Sequence, residues 1–333
     1  MFTRHSRVLM VLLGLSWLFA AAAATAGSDA VGQNQILRSQ AARILSTRSD
    51  ANSLLTAAAL RFAGTTAKPR LKSNSQEAQK PASELIAQAA EQAPQSAAIA
   101  WLHLQICAES PGCNMHEVAT VMRWVDADNS ASWMPILATA HKDKDLVEID
   151  RVLDDMAHAR RFDLYVNRLT VVMFDVLKNE RRSLPSEYAS SDWARFTEVS
   201  GIATAEAIPA FNALADVCRD IAAAPERREV CLKLAKIMQK GDAVATQIAG
   251  FGIERRLYSA DSKEAHSIAE RRRLLEWRVA AAAQFDLPLM PWSKNNRARA
   301  RLNQMRLRPR EEDVCIAILR EHKVATEPVE DHR

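Results

Sequence analysis

Apolar residues in this chain recur at three- and four-residue intervals over short runs, and each run ends in a polar turn. That spacing lines one face of a helix and not of a strand. Composition closes off the alternatives. Alanine supplies 58 of the 333 residues, against 9 glycines and 3 tyrosines. Strand-favouring and hairpin-turn residues are both scarce, which excludes a sandwich, a barrel or a doubly wound sheet with glycine-rich loops. The expected fold is all-α, and a 48% hydrophobic fraction is enough to bury a sizeable core.

The first residues carry an address. Arg4 and Arg7 precede an apolar run from Val8 to Ala24 that only Ser16 interrupts, and Ala24-Thr25-Ala26 supplies the small-x-small pattern of a cleavage site. Residues 1–26 therefore read as a signal peptide, with export to a periplasm or the medium after cleavage near Ala26. No cysteine follows the run, so a lipoprotein is excluded. No later segment approaches eighteen apolar residues, so no span is expected in the mature chain.

Export makes the five cysteines disulfide candidates. Cys107 and Cys113 flank the turn signal Pro111-Gly112, and Cys218 and Cys231 are equidistant from Ala224-Pro225. Residues equidistant from the turn of a helical hairpin can face one another, so these two pairs are the expected bridges. Cys315 is left over on an apolar helix face beside Ile316 and Leu319. It is expected as a buried thiol, although pairing with a second chain is the alternative.

Residues 51–63, 82–93, 97–109, 114–126, 130–141 and 145–158 read as short helices joined by short turns, an arrangement that packs as antiparallel hairpins. Trp101 and Trp133 lie 32 residues apart, each followed three residues later by a large aliphatic, Leu104 and Ile136. Ala108 and Gly112 after the first, and Ala140 and Leu153 after the second, continue the pattern. A first unit starts at Leu54 with Ala57 and Ala58 and closes at Pro94, after an insert over 65–80. Over residues 51–161 the chain resembles the tetratricopeptide-repeat family, although its paired glycine and aromatic positions are missing. The resemblance implies a short stack whose first helices line a concave, peptide-holding face. It implies binding residues on helices 97–109 and 130–141: His103, Gln105 and Thr139. Trp101 and Trp133, recurring at the repeat spacing, are assigned to packing.

Beyond 163 the repeat stops. Residues 164–178 are apolar on most sides and read as a central, buried helix. Pro209 is expected to kink the following helix or mark its first turn. Further helices are expected over 226–239, 242–257, 261–284, 294–305 and 311–322, with Asp261 and Glu264 as a capping box. The organisation is thus a signal peptide (1–26), a helical repeat region (27–163), a C-terminal helical region (164–322) and a mobile tail (323–333).

No catalytic or metal constellation emerges. His116-Glu117 opens like a zinc-protease helix, but Thr120 stands where the second histidine is required. Asp126-x-Asp128-x-Ser130 opens like a calcium loop but has Ala131 for its glycine and Leu137 for its closing glutamate, so it reads as the turn and cap before the Trp133 helix. There is no Gly-x-Ser-x-Gly and no phosphate loop, and no cofactor is implied. Asp143, Asp145, Glu148, Asp150, Asp154 and Asp155 read as a solvated acidic face. Residues 101–163 carry 6 basic and 11 acidic side chains. Lys294 and the arginines 297, 299, 301, 306, 308 and 310 form a run with no acid between them. One reading of that run is an anionic partner or surface recognised through Arg297–Arg310; the preferred reading is a solvated helix face or an intramolecular match to the acidic region. Export and the lack of stacking aromatics in the run disfavour nucleic acid. The expected function is a non-enzymatic exported interaction protein with a protein or peptide partner. The alternative is an exported hydrolase or lytic enzyme with acids dispersed over the array.

Overall fold

The computed structural model describes residues 28–66, 80–186, 191–219, 225–285 and 293–328. The expected signal peptide, most of the 65–80 insert and residues 329–333 lie outside the described residues. Among the described residues there are fifteen α-helices and no strand. The chain is all-α, as its periodicity requires.

The first half is a stack of helical hairpins. It comprises α1 (Ser28–Leu45), α2 (Ala51–Thr66), α3 (Ala82–Gln92), α4 (Ala97–Glu109), α5 (Met115–Val125), α6 (Met134–Asp143) and α7 (Leu146–His158). Each of α1 to α4 packs on its successor, and α6 packs on α7. Side chains close the turns where the sequence offers them. Asn114 accepts from Glu117 N at 3.3 Å, and Asp145 accepts from Glu148 N at 3.0 Å. The helix expected over 130–141 opens as a 3-10 turn, Ser130–Trp133, before α6, with Pro135 in the first α-helical turn where its missing N–H costs nothing.

The second half comprises α8 (Val166–Asn179), α9 (Asp192–Ala207), α10 (Asn212–Val217), α11 (Arg227–Met238), α12 (Val244–Arg256), α13 (Lys263–Ala283), α14 (Ser293–Leu307) and α15 (Glu311–Glu321). Pro209 does not kink a helix. It lies between α9 and α10, whose break it enforces. The cap of α13 is Ser262, whose Oγ accepts from Ala265 N at 3.1 Å, and not Asp261, because Ser262 stands three residues before that amide. Residues 323–328 are tied back: Arg278 Nε donates to Thr326 O at 3.0 Å, and Val324 packs on the core.

The two halves share one continuous core running from Ala41 to Leu319. The helix α8 is buried on most sides, as expected. So is α2, whose residues from Ser53 to Leu60 are all buried. Alanine makes this possible: Ala57, Ala58 and Ala59 face different neighbours and let them approach closely. Both α8 and α9 lie against α2, α9 also touches α4, α10 packs on α6, and α11 packs on α7. The second half therefore closes over the face of the stack. Asp192 holds α14 to α9, bonding both Arg195 and Arg299 at 2.5 Å.

Close approach of α12 to α11 depends on Gly250, where an added Cβ would meet Ala235 O and Met238 Cβ at 2.8 Å. At Gly252, on the same helix, a Cβ would meet nothing within 4 Å. Gly250→Ala should therefore destabilise by about 1–3 kcal/mol through overpacking. Gly252→Ala should stabilise by about 0.5–1 kcal/mol, because it reduces the freedom of the unfolded chain without a clash. Urea unfolding of the two variants checks the difference in sign.

Candidate functional site

Of the three residues that the repeat resemblance groups together, His103 and Gln105 lie on α4 and Thr139 on α6. His103 and Gln105 are two positions apart on α4, which places them about 200° apart around the helix. His103 is half-buried and turned toward Glu117 of α5, and burial holds its imidazole below the ordinary histidine value while Glu117 opposes that shift. Thr139 is exposed on α6, and its hydroxyl donates to Pro135 O at 3.1 Å. Gln105 lines a cleft. Trp101 is fully buried and its Nε1 donates to Ala207 O at 3.0 Å, so the end of α9 is seated against α4. Trp133 is half-buried beneath the guanidiniums of Arg123 and Arg151, 4.4 and 5.5 Å from its ring centroid.

The cleft lies between α4, α6 and the end of α9. Its volume is about 180 Å³. Phe62, Met134, Pro135, Ala138, Ile208 and Pro209 give it apolar walls, while Gln105, Glu109 and Glu206 supply polar groups. Glu109 is the last residue of α4 and Glu206 the penultimate residue of α9, and neither helix has a base in its last turn. Helix C-termini carry negative partial charge, so both carboxylates stand where the backbone disfavours them. Burial pushes the Glu206 carboxyl up to about 7, Glu109 adds to the shift, and Arg38 opposes it. Gln105 Nε2 is buried with no hydrogen-bond partner among the described residues.

A second cleft, of about 570 Å³, lies between the start of α2, α8 and α14. It is polar and of mixed sign, with Asp50, Asp175 and Glu180 facing Arg168 and Arg306. Asp50 Oδ1 already accepts from Ser53 N, and Arg306 already pairs with Asp175 at 2.5 Å. Its charges largely satisfy one another.

Two further acids lie away from either cleft, Asp242 buried and Glu311 half-buried. Asp242 lies in the α11–α12 turn and accepts Leu164 N and Tyr165 N on its two oxygens, each at 2.7 Å, at the entry to α8. Glu311, which opens α15, donates its N–H to Asp242 O at 2.7 Å and accepts Val244 N at 2.7 Å. Burial pushes Asp242 up to about 7, with Asp163 and Glu311 adding to the shift and the two backbone N–H groups opposing it. Gly241 permits the approach, since a Cβ there would meet Phe162 O at 2.6 Å. Tyr165 sits at φ +59°, and its hydroxyl donates to Asp126. Asp126 is also bonded by Arg161, while Asn129 accepts Asp163 N and donates to Asp163 O, each at 2.9 Å. The 126–130 segment is thus a turn, as expected. Its cap is Asn129, and Asp126 is a buried acceptor.

Both charge runs are paired in part within the chain. Arg299 pairs with Asp192 of α9, Arg306 with Asp175 of α8, and Arg310 with Glu312 of α15. On α7, Arg151 pairs with Glu148 and Asp155, and Asp150 pairs with Arg227 of α11. None of the six acids of residues 143–155 lines the α4/α6/α9 cleft. Both expected disulfides are present: Cys107–Cys113 and Cys218–Cys231, with Cα atoms 5.4 and 5.7 Å apart. Cys315 is buried and takes part in neither. Among the described residues no helix is long and apolar enough to cross a membrane. No family model, curated protein or solved structure matches the chain.

A raised carboxyl binds its proton more tightly in the folded chain than in the unfolded one. The contribution of Glu206 to stability is therefore full below its ordinary value of 4.5 and is lost as pH rises to about 7. Glu206→Gln removes this loss. Over that window the variant should gain stability relative to the native chain. A difference in urea midpoint that stays constant with pH would show that Glu206 titrates as an ordinary exposed acid.

Proposed function

We propose that this is an exported, non-catalytic interaction protein that docks an extended segment of a partner protein or peptide in the α4/α6/α9 cleft. In this reading residues 1–26 are removed on export to a periplasm, and the first half is a shortened, diverged tetratricopeptide-like stack. The observation that carries it is the cleft itself, walled in part by α4 and α6, the helices that such a stack uses for ligands, with polar groups from α4 (Gln105, Glu109) and α9 (Glu206). Pockets of that kind orient a ligand through a few polar contacts and gain affinity from the apolar ones. The two disulfides suit an oxidising compartment.

A second reading has one observation in its favour. A carboxyl held protonated near neutrality beside another acid is how glycosidases arrange a general acid, and Glu206 next to Glu109 has that character.

Ala138 is exposed at the edge of the cleft, so Ala138→Trp should fill it without disturbing the core. In pull-downs from envelope extract, a partner recovered with the native chain should be lost with this variant. An unchanged set of recovered proteins would contradict docking in the cleft. Turnover of a peptidoglycan-fragment panel that disappears in Glu206→Gln would favour the hydrolase.

A further inference from the structure

We propose that the occupant of this cleft is a cationic side chain, a lysine or an arginine, presented by an extended peptide. The inference rests on the reading of the cleft as a peptide-docking site and adds the chemistry of what enters it.

The electrostatics are one-sided. Two helix C-termini converge with a carboxyl on each, Glu109 and Glu206, and neither last turn carries a base. Isolated helices place cations at such ends. The charge that opposes them at Glu206 is Arg38, whose guanidinium is engaged by Glu198 through two bonds of 2.5 and 3.1 Å. The imbalance is therefore one that a positive group from outside would relieve. The walls select what carries that group. Phe62, Met134, Pro135 and Ile208 offer hydrocarbon to the stem of a long side chain, as lysine and arginine stems require. A volume of about 180 Å³ admits one such side chain but not a helix, whose diameter is about 10 Å or more.

Gln105 favours a peptide over a bare cation. It lines the cleft, and its Nε2 is buried without an acceptor. A peptide carbonyl entering beside the cationic group would give that donor an acceptor once the amide turns toward the cleft, and an unpaired buried donor is costly.

Binding of a cation is then coupled to loss of a proton. Glu206 must ionise to pair, so affinity should rise with pH through the neutral region. A general acid behaves in the opposite sense, since it needs the proton to work.

The test uses the full mature chain and three acetylated, amidated pentapeptides. These are Ala-Ala-Lys-Ala-Ala and its counterparts with norleucine or glutamate at the centre, titrated while backbone amide resonances are followed by NMR. The lysine peptide should shift resonances of residues 105–109 and 205–208. The norleucine peptide should bind at least about tenfold more weakly. Glu206→Gln should lower lysine-peptide affinity about tenfold and abolish its rise with pH, whereas Asp154→Asn, on the exposed face of α7, should change neither. Equal binding of norleucine and lysine would overturn the charge inference and leave cleft docking standing. Equal weakening by Asp154→Asn would show diffuse attraction to an acidic surface and overturn it as well. No shift at these residues with any of the three peptides would overturn the inference and docking in the cleft together.

Discussion

The Asp242 carboxylate is the point through which the rest of the structure is held. It joins the turn between α11 and α12 to the entry of α8 by accepting Leu164 N and Tyr165 N, and its own carbonyl takes the N–H of Glu311 at the start of α15. Three chain segments that are remote in sequence are thereby fixed at one buried locus. The carboxylate also keeps Tyr165 at a positive φ, a conformation that costs energy for a residue with a side chain. Held there, Tyr165 reaches Asp126, which Arg161 also grips, and the turn between α5 and α6 is drawn into the same network. Burying so many polar groups is tolerable only because most of them are paired.

The cleft follows from that arrangement. Once α8 has been set by Asp242, α9 is laid across α2 and α4, and its last carbonyls meet the Trp101 indole. A face that would be an open groove in a bare stack becomes a narrow slot with α9 as one wall. The insertion also brings the C-terminus of α9 beside that of α4. Glu206 becomes half-buried beside the exposed Glu109, and its carboxyl is raised first by burial and then by that neighbour.

Where neighbours in sequence decide the outcome, the fold was legible. The helix expected over 97–109 is Ala97–Glu109, bounded by Ser96 before it and by Pro111-Gly112 after it. Both disulfides could be read because each pair spans its own turn. Residues 28–45 were not among the expected helices, although Leu37, Ala41, Ile44 and Leu45 recur at helical spacing. They form α1 because Ala41, Ala42 and Leu45 dock on the core and Arg38 reaches Glu198, 160 residues away. Asp242 was illegible for the same reason: its partner Leu164 is 78 residues off, and no local pattern encodes that pairing. At the candidate site, Gln105 was singled out but Glu109 and Glu206 were not. A signal was present, since each is an acid in the last turn of a helix without a base, an inversion of the usual preference.

The central claim is that the hairpin stack and the later helices are one cooperative unit joined through Asp242, so that the cleft is a property of both. Hydrogen exchange on the native chain and on Asp242→Ala, at rising urea, tests it most directly. If the claim holds, the substitution lowers protection of the Trp101 indole and of the α2 and α4 amides together with that of α11 to α15. Loss of protection confined to α11–α15, with α2, α4 and Trp101 exchanging as in the native chain, would contradict it.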